Sequence, residues 1–349
     1  MEFGIQFFPD VGPEHKSAAD YWGESLNLAE VADAIGYTHV RTVEHYFHVY
    51  GGYSTNPLTF LAAAAQRTKR ARMVTGAILP IFNHPLKIAG EIGMVDAMSN
   101  GRLECGFARA FLPHEFATFG RSLDESRARF NEGIEQVRRL LEETDVTSEG
   151  QFHSFKNVTS LPRPTQTPRP PFWVATSSST ESFVYAAEKG YGVMTIPRPP
   201  ATVRDWIDTY RTTWKAAGHE GQGKVMFATH MYCAPSRQQA IAEARPHLEG
   251  YFRCLHDASS DWLRVTSKDY PDHPSMIATD RRDVDSMLES DALWVGTPDE
   301  LCEKIERYQK SVGGIDSASL QVNFHTLPVK LAEASMRLFA EQVIPKFRS

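Results

Sequence analysis

The 349-residue sequence predicts a single (β/α)₈ barrel, an α/β fold in which each barrel strand is followed by a helix. Three observations support this prediction. Short β-rich runs alternate with longer amphipathic runs along the whole chain, with no linker between halves. About eight such units fit a barrel of this length. The first predicted strand is not followed by the Gly-x-Gly-x-x-Gly turn of a dinucleotide-binding doubly wound sheet, which is the alternative fold.

The predicted strands are short runs rich in β-branched and aromatic residues, and the predicted helices are longer runs with one apolar face. In chain order the strands cover residues 3–8, 39–43, 73–79, 103–108, 172–176, 193–196, 225–233 and 319–323. The helices cover residues 21–35, 59–67, 86–98, 123–143, 180–189, 203–217, 237–255, 298–312 and 329–343. Because the two alternate throughout, we expect one domain over residues 1–349.

One connection in this pattern is too long for an ordinary loop. Residues 257–293 carry scattered charges together with Pro271 and Pro274. A segment of this kind near one barrel end is either a surface insertion or a lid over a ligand site, and both interpretations stay open. Its polarity predicts that it has no strong core of its own.

The composition excludes several classes of function. Lys and Arg total 37 against 43 Asp and Glu, and the net charge of −6 is spread along the chain, so we expect neither a nucleic-acid nor an anionic-membrane partner. The amino terminus lacks a signal-peptide pattern and no run of 18 apolar residues occurs, so we expect a soluble cytoplasmic protein. The four cysteines are far apart and no histidine pair has metal-ligand spacing, so neither disulfides nor a metal centre is expected.

The residues that follow four of the predicted strands are polar or aromatic. In a barrel of this type the ligand site lies at the carboxyl ends of the strands, so these residues are the site candidates. They are Glu44-His45-Tyr46, Asn83-His84, Ala108-Arg109 and Thr176-Ser177-Ser178-Ser179-Thr180.

The run from Thr176 to Thr180 precedes a predicted helix, and the hydroxyls and free amides of a helix start can bind an anion or simply cap the helix. Arg109 ends the preceding strand and can reach the same loop. Because a guanidinium makes paired hydrogen bonds to phosphate, we expect a phosphate group at Arg109, Ser177 and Thr180.

His45 follows Glu44 at a strand end and precedes the aromatic residues Tyr46, Phe47, Tyr50 and Tyr53. One interpretation is a buried structural pair of Glu44 with His45. The other is an acid–base or hydrogen-bonding group that faces a flat apolar ligand from which the aromatic side chains exclude water. His84 is a weaker candidate for the same role.

These strand ends, in this order, resemble the bacterial luciferase-like flavin monooxygenases. The resemblance continues through Asp96 to Arg102, Ala186 to Gly190, Val295 to Glu300 and Met336 to Pro345, and covers nearly the whole chain. The long insertion before the Gly296-Thr-Pro298 turn makes the sequence more similar to luciferase subunits than to compact coenzyme F420 reductases.

The resemblance implies a site residue by residue. It places the flavin phosphate on Arg109, Ser177 and Thr180, and the isoalloxazine ring against Gly76 and Ala77, where the family often has a non-prolyl cis peptide. The implied cofactor-binding set is Glu44, Gly76, Ala77, Ala108, Arg109, Thr176, Ser177, Ser179 and Thr180. The implied catalytic set is His45, Tyr46 and His84.

The resemblance also implies an activity: oxygenation of a small organic substrate with reduced FMN and O₂ through a C4a-peroxyflavin. The chain has Tyr46, Ala108 and Thr176 where catalytic luciferase subunits usually have a histidine, a cysteine and an acid, so light emission and long-chain aldehydes are not expected. Because no nicotinamide-binding fingerprint is present, a separate reductase should supply the reduced flavin. The alternatives are a non-catalytic flavin-binding or luciferase-partner-like subunit and an F420-dependent oxidoreductase.

The family resemblance finally implies a homodimer through the helices predicted at residues 59–67 and 86–98. The run from Leu61 to Ala65 offers small side chains that permit close helix approach, although a helix packed on its own barrel would look the same.

Overall fold

The computed structural model describes residues 1–176, 179–279 and 283–348. Its strands are β1 (Glu2–Phe7), β2 (His39–Thr42), β3 (Arg72–Ile78), β4 (Leu103–Phe107), β5 (Val146–Glu149), β6 (Ser154–Val158), β7 (Phe172–Ala175), β8 (Gly192–Thr195), β9 (Val225–Cys233), β10 (Trp294–Gly296) and β11 (Ser317–Gln321). Nine of them form one sheet in the order β10-β9-β11-β1-β2-β3-β4-β7-β8, and a further pairing of β8 with β9 closes it. With β10 outside the ring, eight parallel strands form a closed barrel, which confirms the predicted fold.

Helices cover the outside of this barrel, and each helix predicted from the sequence is present. They are α1 (Ala18–Ile35), α2 (Pro57–Arg67), α3 (Pro85–Met98), α4 (Pro113–Thr118), α5 (Ser126–Glu142), α6 (Thr180–Glu188), α7 (Pro200–Ala216), α8 (Arg237–Ser259), α9 (His273–Thr279), α10 (Val284–Glu289), α11 (Pro298–Val312), α12 (Val329–Gln342) and α13 (Ile344–Phe347). Within the described ranges, no helix combines the length and apolar character needed to cross a membrane.

Local sequence explains where the long helices begin and end. The Ser17 hydroxyl caps α1, and Gly36 ends it with a φ of +98°, a left-handed conformation that costs glycine little. In α11, Thr297 and Glu300 form a reciprocal capping box, in which each side chain accepts the other residue's backbone N–H.

The structure differs from the prediction where hydrophobic patterning is weak. β5 and β6 form an exposed antiparallel hairpin of mostly polar residues, so no apolar alternation marks them. β10 has three residues, too few to show a period. The last barrel strand lies at Ser317–Gln321, two residues before the predicted segment, because Ser317 is a buried barrel residue despite its polarity.

The inserted segment, residues 257–293, has more core than its composition predicts. α8 extends into it as far as Ser259, and the buried Trp262 donates its indole N–H to the Phe111 carbonyl at 2.8 Å. Tyr270 is also buried and donates to the Ala110 carbonyl at 2.8 Å. The expectation of no strong core was therefore wrong for this first half, where two large aromatic side chains join the segment to the barrel.

The amino-terminal ends of the barrel strands hold a charged network remote from the ligand end. Arg72 of β3 contacts Glu2 of β1, and its Nε lies 2.7 Å from a carboxylate oxygen of Glu104. The Trp173 indole also donates to Glu104, at 2.8 Å. Each charge in this network therefore has an opposite partner or a hydrogen bond.

Candidate functional site

A cavity of about 480 Å³ lies at the carboxyl ends of the barrel strands. Its lining comes from the ends of β1, β2, β3, β4, β7, β8, β9 and β11 and from α8 and α9. Small-molecule sites usually occupy roughly 300–1,000 Å³, so the cavity can hold a ligand of that class. It occupies the position at which barrels of this type bind their ligands.

One end of the cavity is rich in cations. Arg109, Arg127, Arg198 and Lys268 line it beside Ser179, the residue that precedes α6. The Arg109 Nη2 donates to the Asp269 carbonyl at 2.8 Å, and its guanidinium lies 4.5 Å from the centre of the Tyr270 ring. Its Nη1 is buried and has no hydrogen-bond partner among the described residues. A buried donor without a partner, beside a helix start and further cations, is suited to bind an anion.

The middle of the cavity is bordered by backbone rather than by a side chain at Gly76, which is joined to Ala77 through a cis peptide bond. A Cβ atom on Gly76 would lie 1.8 Å from the Arg41 Nε, so no other residue fits there without displacing Arg41. The Arg41 Nη2 donates to the Gly76 carbonyl at 2.8 Å. Glycine therefore permits the close approach of this arginine.

The buried imidazole of His45 has a carboxylate partner from another element. Its Nδ1 lies 3.0 Å from the Glu115 Oε1, and Glu115, on α4, is fully buried. The same oxygen accepts the backbone N–H of Tyr46 at 2.9 Å. Because a carboxylate oxygen accepts, Nδ1 donates in this bond, which leaves Nε2 as the ring nitrogen that can exchange a proton. The structural pair of Glu44 with His45, one of the two interpretations of the sequence, is not formed.

Aromatic rings surround His45. Its ring centre lies 5.3 Å from that of Phe8, 5.5 Å from that of Tyr50 and 5.9 Å from that of Phe111. Tyr251 of α8 continues this wall, with its hydroxyl 3.3 Å from that of Tyr50. These rings give the His45 end of the cavity an apolar, flat boundary.

The sequence profile of the luciferase-like monooxygenases matches residues 1–314. The chain belongs to this family. The matches to curated relatives differ in extent. The chain spans 60% and 68% of the length of two of them and 92% and 88% of the length of two others.

Three similar proteins illustrate what this luciferase-like monooxygenase resembles. The oxygenase component of a flavin-dependent trigonelline monooxygenase from Acinetobacter baylyi is 29% identical over 248 residues, which are 70% of this chain and 68% of that protein. The crystal structure of monooxygenase RslO1 from Streptomyces bottropensis is 44% identical and superimposes with a TM-score of 0.91 over 100% of both chains. The oxygenating constituent of 3,6-diketocamphane monooxygenase from Pseudomonas putida, in complex with FMN, has a TM-score of 0.82 at 22% identity over 100% of this chain and 99% of that chain, a likeness of fold.

Most predicted site residues lie together. Among those that the structure describes, the cavity is lined by Glu44, His45, Gly76, Ala77, Ala108, Arg109, Thr176 and Ser179. Thr180, the first residue of α6, is not among the lining residues. Ser177 lies outside the described residues.

Tyr46 and His84, predicted to act in catalysis, do not line the cavity. The Tyr46 hydroxyl donates to the Glu44 Oε1 at 2.6 Å, and its ring packs on Phe82 and Phe119 outside the cavity. His84 is exposed and caps α3, where its Nδ1 accepts the Leu86 N–H at 3.2 Å. Of the other aromatic residues predicted to face the ligand, Tyr50 lines the cavity but Phe47 and Tyr53 do not. Phe47 is exposed, and Tyr53 donates to the Lys16 carbonyl.

Sequence reasoning missed four site residues: Arg41, Glu115, Arg127 and Arg198. Arg198 lies in the loop that follows β8, so the rule that selected the other strand ends would have found it. Glu115 and Arg127 come from helices after β4, and only the three-dimensional arrangement brings them to the site. Arg41 lies inside a strand, where no sequence signal separates an inward side chain from an outward one.

Glu44 is a buried carboxyl group at the edge of the cavity, and its titration should make stability depend on pH. Burial raises the pKa of Glu44 from 4.5 to about 8, against the bonds from Tyr46, Leu79 and Asn83 that favour the carboxylate. Because the pKa is higher in the folded state, the stabilisation from the protonated group is full below pH 4.5 and is lost as the pH rises to about 8.

We therefore predict that Glu44→Gln gains stability relative to the parent as the pH rises from 5 to 8, by up to about 1.4 kcal/mol per pH unit. Chemical denaturation at several pH values measures this difference. The substitution also alters hydrogen bonds, but this changes the free energy of unfolding by the same amount at every pH. Glu333→Gln, on the outer helix α12, is the control. A stability difference between Glu44→Gln and the parent that does not change with pH would contradict the prediction.

Proposed function

We propose that this chain is the oxygenase of a two-component flavin monooxygenase, which takes reduced FMN from a separate reductase and uses O₂ to oxygenate a small organic substrate. The sequence supports a separate reductase because it lacks a nicotinamide-binding glycine fingerprint. The trigonelline relative, which is named an oxygenase component, supports it as well.

The observation that carries this proposal is the unsatisfied Arg109 Nη1 at the cationic end of the cavity. FMN differs from riboflavin by a phosphate, and Arg109 and Arg127 offer the charges that such a phosphate needs. The start of α6 adds backbone donors and a favourable helix dipole. The residues present therefore fit FMN, with Arg109 and Arg127 at its phosphate and Gly76 and Ala77 bordering its ring.

Reduced FMN supplies the electrons that activate O₂. The protein's part is to bind, orient and exclude water. Phe8, Tyr50 and Phe111 restrict water around His45, which would limit the wasteful release of H₂O₂ when flavin and O₂ are bound. Glu115 holds the His45 ring by its Nδ1 proton, so Nε2 can accept or return a proton at the reacting oxygen.

Oxygen consumption tests the proposal directly. The purified chain is supplied with FMN, NADH, an unrelated flavin reductase and ¹⁸O₂, and is screened against small aromatic and alicyclic compounds. We expect some compounds to gain one ¹⁸O atom while the H₂O₂ released per O₂ falls below one. FMN binding with a ratio that stays at one for all compounds supports a non-catalytic subunit. Binding of F420 in place of FMN supports an oxidoreductase without oxygenation.

The exposed apolar surface of α3 supports a homodimer, and the exposed Ala63 and half-buried Ala62 of the alanine-rich run lie on the neighbouring helix α2. Leu61, Ala64 and Ala65 of α2 are buried against the chain's own barrel. Met94 and Met98 of α3 are instead 54% and 46% exposed, and together they form an apolar stripe. A second copy of the chain, packing on this stripe and on α2, would remove it from water.

We predict a dimer at micromolar concentration that Met94→Glu combined with Met98→Glu converts to a monomer, because each carboxylate would be desolvated in the interface. Light scattering coupled to size exclusion measures the mass. Met276→Glu, on α9, is the control and should leave the dimer intact. A monomeric parent protein would contradict the prediction.

The second half of the inserted segment is the part that we expect to act as a lid. After the anchored Tyr270, α9 carries no fully buried residue, yet its Met276 and Ile277 line the cavity. The inserted segment also contacts the cationic end of the cavity, because the Asp269 carbonyl accepts a hydrogen bond from the Arg109 Nη2. A phosphate bound to Arg109 can therefore change how this segment packs.

We predict that trypsin first cleaves within the second half of the inserted segment, and that FMN slows this cleavage several-fold. Lys268, in the same segment, should be cut later because Asp124 accepts its backbone N–H at 2.8 Å. Mass spectrometry of timed digests, with and without FMN, measures both rates. Cleavage that FMN leaves unchanged would make the segment a static insertion.

A further inference from the structure

A buried arginine with only neutral partners faces the cavity from inside the barrel. Arg41 of β2 is 6% exposed, and it lines the cavity with Gln6 of β1 and Gln321 of β11. Its Nη1 donates to the Gln6 side-chain oxygen, and its Nη2 donates to the Gly76 carbonyl at 2.8 Å. Its Nε is buried and has no hydrogen-bond partner in the described part of the chain.

The charge of Arg41 is uncompensated, unlike that of Arg72 at the other end of the barrel. Arg72 pairs with Glu2 and Glu104, whereas none of the ion pairs between described residues includes Arg41. Burial lowers the pKa of Arg41 only to about 10, so the group stays charged at neutral pH. A buried cation without a counter-charge is unfavourable for folding, which indicates that a negative charge from a ligand completes the site.

Arg41 lies apart from the cationic end of the cavity. Arg41 lies between β1 and β3, next to Gln6 and Gly76. The cations expected at the phosphate come instead from the loop after β4, from α5 and from the loop after β8. The same cavity also has aromatic walls. Phe8 and Tyr251 meet edge to face at 5.7 Å, and Tyr50 packs on Phe8 at 4.4 Å. A flat ring can lie against these side chains while an oxygen on its edge meets the guanidinium.

We propose that Arg41 binds an anionic oxygen on the organic substrate, a carboxylate, phenolate or enolate, and so selects planar substrates that carry such an oxygen. This inference rests on the proposed function, because it assigns the aromatic part of the same cavity to the substrate. The neutral Gln6 and Gln321 hold the guanidinium and its surroundings without competing for its charge, which leaves that charge to the ligand.

The test uses two probes of one shape, 2-naphthoate and its neutral analogue 2-naphthamide. Each is titrated calorimetrically into the flavin-free protein with excess inorganic phosphate, which occupies an anion site at Arg109. We expect the parent to bind the carboxylate at least about tenfold more tightly than the amide. Arg41→Gln and Arg41→Met should both lose this preference, and Arg72→Gln, which removes a strand arginine far from the cavity, should keep it.

Equal affinities of the parent for the two probes would overturn the proposal without any variant. A preference for the carboxylate that persists in either folded Arg41 variant would also overturn it.

A second experiment concerns the flavin, because its reduced ring is also anionic. The midpoint potential of bound FMN should change little in Arg41→Gln. A clearly lower potential combined with an unchanged naphthoate preference would assign Arg41 to the flavin instead. Failure of the parent to bind FMN would refute the proposed function alone, because the naphthoate titrations contain no flavin.

Discussion

Replacing His45 with alanine is expected to lower product formation by about 10²- to 10⁴-fold while the affinity for FMN changes by no more than a few fold. The loss follows from the position of the ring, which is buried among Phe8, Tyr50 and Phe111 and oriented by Glu115. FMN affinity should persist because the cations at the phosphate end come from other elements. The missing turnover should appear as H₂O₂, since O₂ is still reduced but no longer transferred.

Two further variants separate a catalytic role of His45 from a structural one. His45→Asn keeps a side-chain N–H that can donate to Glu115 but loses the ring nitrogen that exchanges a proton. A structural role predicts that asparagine restores both the melting temperature and product formation, whereas a catalytic role predicts that it restores only the melting temperature. His84→Ala is the matched control, because His84 is exposed and caps α3.

Kinetic assays of product and H₂O₂ with each variant provide the measurement. If His45→Ala keeps coupled product formation near the parent rate, His45 has no catalytic role. The structure then leaves Tyr46 as a weak replacement, because its hydroxyl is engaged by Glu44 and its ring lies outside the cavity.

The barrel was predictable because its signal is repeated. Each of its strands is a short buried run followed by an amphipathic helix, so an error of a few residues in one element, as at β11, leaves the order of elements intact. The β5–β6 hairpin and β10 carry no such pattern, because the first is exposed and polar and the second is very short. The packing of Trp262 and Tyr270 was missed for another reason. Their partners, the Phe111 and Ala110 carbonyls, are remote in sequence.

The site was predictable only as far as the strand-end rule applies. That rule selects Glu44, His45 and Arg109, and all three line the cavity. It also selects Tyr46 and His84, because a sequence does not reveal which way a loop side chain turns. Glu115 is invisible to it, since a helix of six residues brings this carboxylate to His45 from 70 positions away. Contacts across elements therefore require the structure.

Replacing Arg109 with alanine is expected to weaken FMN binding by about 10- to 150-fold and riboflavin binding by no more than about threefold. The first figure corresponds to a loss of roughly 1.5–3 kcal/mol, the usual contribution of a charge-assisted hydrogen bond. Riboflavin lacks the phosphate and so never makes this bond. Flavin fluorescence titrations at one fixed ionic strength measure both constants, since added salt would screen the interaction.

Riboflavin also controls for an indirect effect of the same substitution. Arg109 contacts the Asp269 carbonyl and the Tyr270 ring, so its loss can loosen the inserted segment as well as the phosphate site. A loosened segment would weaken both ligands alike, whereas a lost phosphate contact weakens FMN alone. Arg127→Ala should give a smaller selective loss, because Glu181 lies 3.9 Å from its guanidinium and already offsets part of its charge. Equal losses for FMN and riboflavin in Arg109→Ala would remove Arg109 from phosphate binding and leave it a structural contact of the inserted segment.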